Sequence, residues 1–171
     1  MIILLTGERG SGKTTVCQRW AYQARVAGWD VAGLLSPAVF DKGRKVAIDA
    51  FDLRSGERRR LAWTRTSAAS AEALCTLAWC FDPATVAWGN QVLASATPCD
   101  LLIVDELGPL ELEHNQGWTA GIAAVNTNCY RQAWVVVRRE LLGIAQRLWP
   151  TGEVVEVADA SRWTWPFPLR R

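Results

Sequence analysis

The chain has 171 residues, of which 50% are hydrophobic and 21% are charged, and its formal net charge is +2. These values are typical of a globular protein, and the length suits one domain that spans residues 1–171. The net charge is too small to indicate that the protein binds nucleic acid, although such binding is possible. No apolar stretch approaches the roughly 20 residues that cross a bilayer, so we expect no membrane partner.

The number and spacing of the cysteines indicate whether the protein is in an oxidising or a reducing compartment. They are odd in number and form neither a CxxC pair nor a zinc-ligand spacing: Cys17, Cys75, Cys80, Cys99 and Cys129. The chain also has a single histidine, His114, which argues against a histidine-based metal site. We therefore expect a reduced, cytoplasmic protein without structural disulfides or zinc.

The first third of the chain begins as a strand–helix–strand unit. Residues 1–6 are wholly apolar without alternation, which is typical of a parallel strand buried on both faces. A helix is predicted over residues 13–27 and a second strand over residues 30–36. Residues 39–63 then alternate in polarity and are interrupted by KG and SG turns, which predicts a small antiparallel meander.

The rest of the chain alternates helical and apolar segments. The predicted helices cover residues 68–78, 83–96, 118–126 and 141–148, and the predicted strands cover residues 101–104, 133–137 and 154–157. This order predicts an α/β fold with a mostly parallel sheet covered by helices on both faces. The meander would be a small antiparallel hairpin insertion in that sheet.

A glycine-rich loop follows the first predicted strand and opens the first predicted helix. Residues 7–14 read GERGSGKT and fit the phosphate-loop pattern GxxxxGK[ST] at every fixed position. Glycines let backbone N–H groups converge on an anion, and the helix N-terminus adds partial positive charge. We predict that nucleotide phosphates bind to Gly7, Glu8, Arg9, Gly10, Ser11, Gly12, Lys13, Thr14 and Thr15. Lys13 would reach the β- and γ-phosphates and assist catalysis, and the Thr14 hydroxyl would bind Mg²⁺.

Two adjacent carboxylates end a later apolar run, in the segment LLIVDELGPLEL at residues 101–112. In a doubly wound sheet, ligands bind at the carboxyl ends of the strands. We therefore predict that Asp105 coordinates Mg²⁺ together with Thr14, and that Glu106 orients and deprotonates the attacking water. Glu111, in the same segment, is a candidate for bracing this site from behind.

The octapeptide DELGPLEL resembles the D-E-[IL]-G-x-[ML]-E-L signature of the thermophile-type nucleoside-triphosphatases, a family that includes the cancer-related nucleoside-triphosphatase of eukaryotes. The strand and meander over residues 31–63, the VVVRREL segment and the late SRW tripeptide are also similar to that family. The resemblance implies a RecA-like P-loop fold and Mg²⁺-dependent hydrolysis of ATP, GTP, CTP and UTP to diphosphate and phosphate, with loose base selectivity. By position, Lys13, Thr14, Asp105 and Glu106 take the family's phosphate, metal and catalytic roles. Arg9 is a departure, because the family often has Pro there.

Hydrolysis of this kind is faster when an arginine contacts the transferring phosphate. Arg138 and Arg139 are the candidates, since they follow a predicted strand and should lie at its carboxyl end. Arg131 precedes that strand and should lie at the opposite end. If no arginine acts within the chain, turnover should be slow.

Two other functions fit the phosphate loop. A nucleotide or small-molecule kinase would need an arginine-bearing lid, for which the basic run Arg58–Arg60 is a candidate. A GTP-binding adaptor would use hydrolysis as a switch for a protein partner. The sequence indicates neither a base preference nor an oligomeric state, since it has no NKxD motif for guanine. Its ten tryptophans favour packing over base stacking, including Trp163 and Trp165 in the tail.

Overall fold

The computed structural model describes residues 1–65, 74–76 and 78–163. Its strands and helices alternate through most of the chain, as predicted. The strands are β1 (Ile2–Thr6), β2 (Val31–Leu35), β3 (Ala38–Asp41), β4 (Arg44–Asp52), β5 (Arg58–Thr64), β6 (Leu74–Cys75), β7 (Trp79–Phe81), β8 (Cys99–Leu107), β9 (Tyr130–Val137) and β10 (Glu153–Glu156). The α-helices are α1 (Lys13–Val26), α2 (Pro83–Ala94), α3 (Pro109–Leu112), α4 (Thr119–Asn126), α5 (Leu142–Leu148, preceded by a 3₁₀ turn over Arg139–Leu141) and α6 (Val157–Ala160).

All ten of these strands belong to one sheet, in the order β10-β1-β9-β8-β2-β4-β5-β7-β6, with β3 paired to β4. The first five strands of that order are parallel to one another. From β4 onward the pairing is antiparallel. One strand, β9, therefore separates the strand before the glycine-rich loop from the strand that carries the two carboxylates.

The parallel strands are buried on both faces, which explains their unbroken apolar sequence. On β1, Ile3 and Leu5 pack in the same core cluster as Trp20 of α1. The alternate residue Leu4 belongs to the opposite cluster, which α2, α4 and α5 cover and which contains Trp118. The predicted α/β fold, with helices on both faces of a largely parallel sheet, is confirmed.

Tryptophan packing also agrees with the prediction where the structure describes it. Trp20 and Trp134 are fully buried, with ring centroids 3.9 Å apart. Trp163 lies against both rings at 6.2 and 6.3 Å, so it packs the end of the described chain onto the core. Trp165 lies outside the described residues.

The antiparallel insertion is larger than predicted. It contains β3 to β7, of which β6 lies where the sequence predicted a helix over residues 68–78, and β7 follows directly after that range. The helix prediction is wrong at Leu74–Cys75, and residues 68–73 and 77 lie outside the described residues. Strand pairing outweighs local helix propensity at Leu74–Cys75. Strand β6 pairs with β7, and β7 pairs with β5.

A disulfide joins Cys75 to Cys80, so the expectation of no structural disulfide is wrong. The two cysteines are directly opposite each other on β6 and β7. Had they been in a helix, their spacing of five residues would have kept the two sulfur atoms apart. Cys17, Cys99 and Cys129 are free thiols.

The basic run on β5 is held by its own neighbours. Arg60 Nε binds to the buried Asp49 at 2.6 Å, and an Arg58 nitrogen lies 3.8 Å from the same carboxylate. Arg59 pairs with Glu57 and stacks over Trp88. Across the described part of the chain, no helix is long and apolar enough to cross a membrane.

Candidate active site

The glycine-rich loop connects β1 to α1 and has the backbone conformation that its glycines predict. The φ angles of Gly7, Gly10 and Gly12 are +148°, +72° and +90°, a region that residues with a Cβ rarely adopt. At Gly7, an added Cβ would also lie 2.7 Å from a methyl carbon of Val157. Only glycine therefore allows the loop to turn tightly between the sheet and α6.

Lys13 lies across this loop. Its ammonium Nζ donates hydrogen bonds of 2.9 Å to the carbonyl oxygens of both Gly7 and Glu8. The positive charge is thus held above the loop, next to the N-terminus of the 14-residue helix α1. Helix dipole and ammonium together favour an anion at this position.

Asp105 is buried at the carboxyl end of β8, two strands away from β1. Its Oδ2 accepts a 2.8 Å hydrogen bond from the backbone N–H of Ser36, and the Ser36 hydroxyl donates to the Asp105 carbonyl. Burial raises the pKa of Asp105 to about 6. The hydrogen bond from Ser36 lowers that pKa and so opposes part of the shift. Ser36 was not predicted from the sequence, because its contact with Asp105 joins residues 69 positions apart.

The other carboxylate oxygen, Asp105 Oδ1, is buried and has no hydrogen-bond partner among the residues that the structure describes. The Thr14 side chain lies near enough to Asp105 to lower its pKa. One carboxylate and one hydroxyl are the hard oxygen donors that Mg²⁺ accepts, with water and phosphate completing its octahedron. The two residues therefore fit the metal that the resemblance implies. Within the described ranges, no cluster of three or more acidic, cysteine or histidine side chains offers an alternative metal site.

Glu106 has an unusual backbone. Its φ of +65° is left-handed, which costs a residue other than glycine on the order of 1–3 kcal/mol. The strand register shifts at the same place: Val104 pairs with Val135, but Leu107 pairs with Val137. At this bulge β8 has one residue more than β9. The Glu106 side chain therefore no longer follows the alternation of side chains between the two faces of the sheet.

Arg138 holds Glu106 in that orientation. Its Nε and Nη2 both donate to the Glu106 Oε1 atom, at 2.9 and 2.7 Å. Because both bonds go to Oε1, the second oxygen of the carboxylate stays available to water. Side-chain exposures of 22% and 32% show that the pair lies in a partly buried setting, where ion pairs are stronger than on an open surface.

Arg139 has different partners although it follows Arg138 directly. It binds Glu156 at 3.0 Å and lies 3.4 Å from Glu8 on the glycine-rich loop. Both arginines are at the carboxyl edge of the sheet, as predicted. Arg131 is at the opposite edge, where its backbone carbonyl accepts from the Met1 ammonium.

Glu111 braces the segment behind the carboxylates, as the sequence suggested. This buried side chain accepts hydrogen bonds from the backbone N–H groups of Gly108 and Trp118, at 2.8 and 2.9 Å. Desolvation raises the pKa of Glu111, and those two hydrogen bonds oppose the shift. The turn that follows Glu106 is thereby tied to the start of α4.

A sequence model of the NTPase family matches residues 2–164. The chain belongs to this NTPase family. The resemblance to the thermophile-type nucleoside-triphosphatases, drawn from the DELGPLEL segment, is therefore confirmed.

Among curated relatives of the chain, nucleoside-triphosphatase THEP1 of Methanopyrus kandleri is 32% identical over 113 residues, which cover 66% of the chain and 61% of that relative. A second relative, nucleoside-triphosphatase THEP1 of Thermococcus kodakarensis, is 28% identical over 161 residues, or 94% of the chain and 87% of the relative. The chain thus matches about three fifths of the length of the former and most of the latter.

Two solved structures share the fold. The human cancer-related nucleoside triphosphatase superposes with a TM-score of 0.68 at 22% identity, covering 90% of this chain and 87% of that one. THEP1 from Aquifex aeolicus gives 0.65 at 17% identity, with coverage of 95% and 92%. The predicted P-loop fold is confirmed by these matches together with the family model.

Proposed function

We propose that this NTPase hydrolyses nucleoside 5'-triphosphates to diphosphate and phosphate, with Mg²⁺ and with loose selectivity among ATP, GTP, CTP and UTP. One observation carries the proposal: Glu106 projects from a left-handed bulge directly after the buried Asp105, and Arg138 binds only one of its two oxygens. A carboxylate held in a strained backbone beside an anion-binding loop is typical of a catalytic base. The relatives named nucleoside-triphosphatase support the same reaction.

In this proposal the loop binds the phosphates. Backbone N–H groups of residues 7–14 and the α1 N-terminus stabilise the negative charge, and Lys13 exchanges a carbonyl partner for phosphate oxygens. Thr14 and Asp105 would hold Mg²⁺, which would neutralise charge on the β- and γ-phosphates when bound. These contacts involve the phosphates and the metal but not the nucleobase, which supports loose selectivity among nucleobases.

Glu106 then acts on the water. Its free oxygen accepts a proton from the water as the water oxygen forms a bond to the γ-phosphorus. The bond between that phosphorus and the bridging oxygen breaks, and its electron pair goes to the leaving diphosphate. The products are a nucleoside diphosphate and phosphate. Arg138 positions Glu106 for this step through its two hydrogen bonds to Oε1.

The two alternative functions have less support. A kinase lid built from Arg58–Arg60 is disfavoured, because Arg58 and Arg60 pair with Asp49 and Arg59 with Glu57. A GTP-binding adaptor has no need of a positioned glutamate next to Asp105. Neither alternative is favoured by an observation of its own.

Phosphate release from ATP, GTP, CTP and UTP with Mg²⁺ tests the proposal, comparing wild type with Glu106→Gln. The substitution keeps the size of the side chain and removes its basicity, so release should fall by roughly 10²–10⁴-fold while nucleotide binding persists. Glu113→Gln is the matched control, because Glu113 is an exposed carboxylate seven residues along. Equal release by wild type and Glu106→Gln would overturn the assignment of the base. Nucleotide binding with no release by wild type would direct the search to an acceptor substrate or a protein partner.

A further inference from the structure

We propose that Lys45, on the insertion, is a further catalytic residue that contacts the γ-phosphate of the bound triphosphate. The inference rests on the proposed function, since it assigns a role within that reaction. No sequence motif points to it, because Lys45 lies in an ordinary alternating strand far from either motif. Its position in the folded chain is what distinguishes it.

The hairpin of β3 and β4 projects past the edge of the sheet where nucleotide would bind. Strand β2 pairs with β4 only at Leu34↔Asp52 and Leu35↔Phe51. Since the two strands are antiparallel, the part of β4 before Phe51 lies beyond the carboxyl end of β2. Lys45 is near the start of β4, in this projecting part, opposite Phe40 of β3.

Irregular pairing bends the projecting part. The register shifts between Val39 and Phe40 on β3, and between Ile48 and Asp49 on β4. Bulges of this kind increase twist and redirect the strand beyond them. The result is that the Lys45 ammonium feels charges from four groups of the phosphate site: Glu106, Arg138, Asp105 and Arg9. These groups belong to β8, to the residue that follows β9 and to the glycine-rich loop, so the ammonium lies on the side of the insertion that faces the phosphate site.

The ammonium is held there without being neutralised. Its Nζ is 5.0 Å from the centre of the Trp79 ring on β7, a cation–π contact that steers the side chain. Among the described residues, no carboxylate lies within ion-pair distance of it. Lys45 is exposed as a residue, yet partial desolvation of its ammonium is the largest influence on the group and lowers the pKa of Lys45. An ammonium that is partly dehydrated and has no carboxylate contact is well prepared to bind a phosphate oxygen.

The two arginines that the sequence suggested for this role are already paired. Arg138 binds Glu106, and Arg139 binds Glu156. Charge that develops on the γ-phosphate oxygens during transfer is stabilised by a fixed cation in a partly dry site. In the proposal, Lys45 supplies that cation from within the chain.

Steady-state phosphate release by Lys45→Ala tests the proposal, with Lys45→Arg and Arg44→Ala beside it. Arg44 is the matched control, because it is, like Lys45, an exposed cation on the same strand, but its side chain points to the other face. We expect Lys45→Ala to lower kcat about 10²–10³-fold, as for loss of one group that stabilises a transition state. Lys45→Arg should recover part of this loss, and Arg44→Ala should match wild type.

A second measurement separates catalysis from folding and simple binding. ADP binding is compared with and without aluminium fluoride, which mimics the transferring phosphate. Wild type should bind ADP more tightly with aluminium fluoride, and Lys45→Ala should lose most of that gain while binding ADP alone normally. If wild type is active and Lys45→Ala keeps its kcat and its aluminium fluoride gain, the role of Lys45 is overturned and the proposed function stands. If wild type releases no phosphate, the proposed function itself has failed.

Discussion

Arg138 and Arg139 are adjacent in the sequence, yet only Arg138 is bound to the proposed base. Arg138→Ala should leave Glu106 without its two hydrogen bonds and free to rotate, so kcat should fall on the order of 10²-fold. The nucleotide KM should change little, because the glycine-rich loop is intact. Full kinetic curves for the variant separate these two parameters.

Arg139→Ala is the control for that experiment. Arg139 lies at the same edge of the sheet but pairs with Glu156 and Glu8. We expect a small change, confined to nucleotide affinity through the loop. If both variants lose kcat equally, the Arg138–Glu106 contact is not what positions the base.

At the same scale, the sequence predicted the residues with local signatures and missed those that depend on distant pairing. Lys13, Thr14 and the Asp105–Glu106 pair lie in recognisable motifs next to predicted strands. Ser36 and Lys45 join the site only because β2 pairs with β8 and the β3–β4 hairpin bends over the edge. No window of the sequence contains that information.

The contact between α2 and α4 shows how one glycine sets the spacing of two elements. A Cβ added at Gly89 on α2 would lie 2.3 Å from a ring atom of Trp118, and 2.9 Å from Leu34 on β2. Gly89→Ala should therefore destabilise the fold by about 1–3 kcal/mol, the usual cost of overpacking a core. Chemical unfolding of the variant measures this free energy.

Gly143 on α5 provides the opposite case. A Cβ there would meet nothing closer than an Arg147 side-chain nitrogen at 3.8 Å. Gly143→Ala should stabilise the protein by about 0.4–1 kcal/mol, since alanine restricts the unfolded chain. Equal effects of the two substitutions would contradict the packing explanation for Gly89.

Most long elements were predictable from their patterns, and the short ones were not. The unbroken apolar runs of β1, β2 and β9 are long enough to predict buried strands, and the residues of Lys13–Val26 are compatible with a helix that follows the glycine-rich loop. The four-residue helices α3 and α6 are too short to show a periodicity, and β8 extends past its apolar run through the bulge at Glu106. The helix predicted near Leu74 failed because pairing with β7 outweighed local propensity.

For the whole molecule, nucleotide should act as a stabilising ligand. With Mg²⁺ and ATP at 100 times its Kd, the Glu106→Gln variant should gain about 2.7 kcal/mol. For a chain of this size that gain corresponds to a rise in Tm of roughly 5–11 °C. Thermal unfolding followed by circular dichroism gives the shift, and the slow variant prevents loss of ATP during the scan.

Lys13→Ala is the control for the thermal shift. Without the ammonium that spans the loop, most of the rise in Tm should disappear although the fold persists. An undiminished rise would show that nucleotide binds elsewhere on the protein.

The strand order has a consequence for synthesis on the ribosome. Strand β1 lies between β9 and β10, so Ile2 pairs with Ala133 and Ile3 with Glu153. At translation rates of about 5–20 residues per second, the glycine-rich loop is made roughly 6–25 s before β9. During that interval the apolar segment Ile2–Thr6 has neither of the strands with which it pairs. The nascent chain must therefore keep its most apolar strand from aggregating until most of the chain has been made.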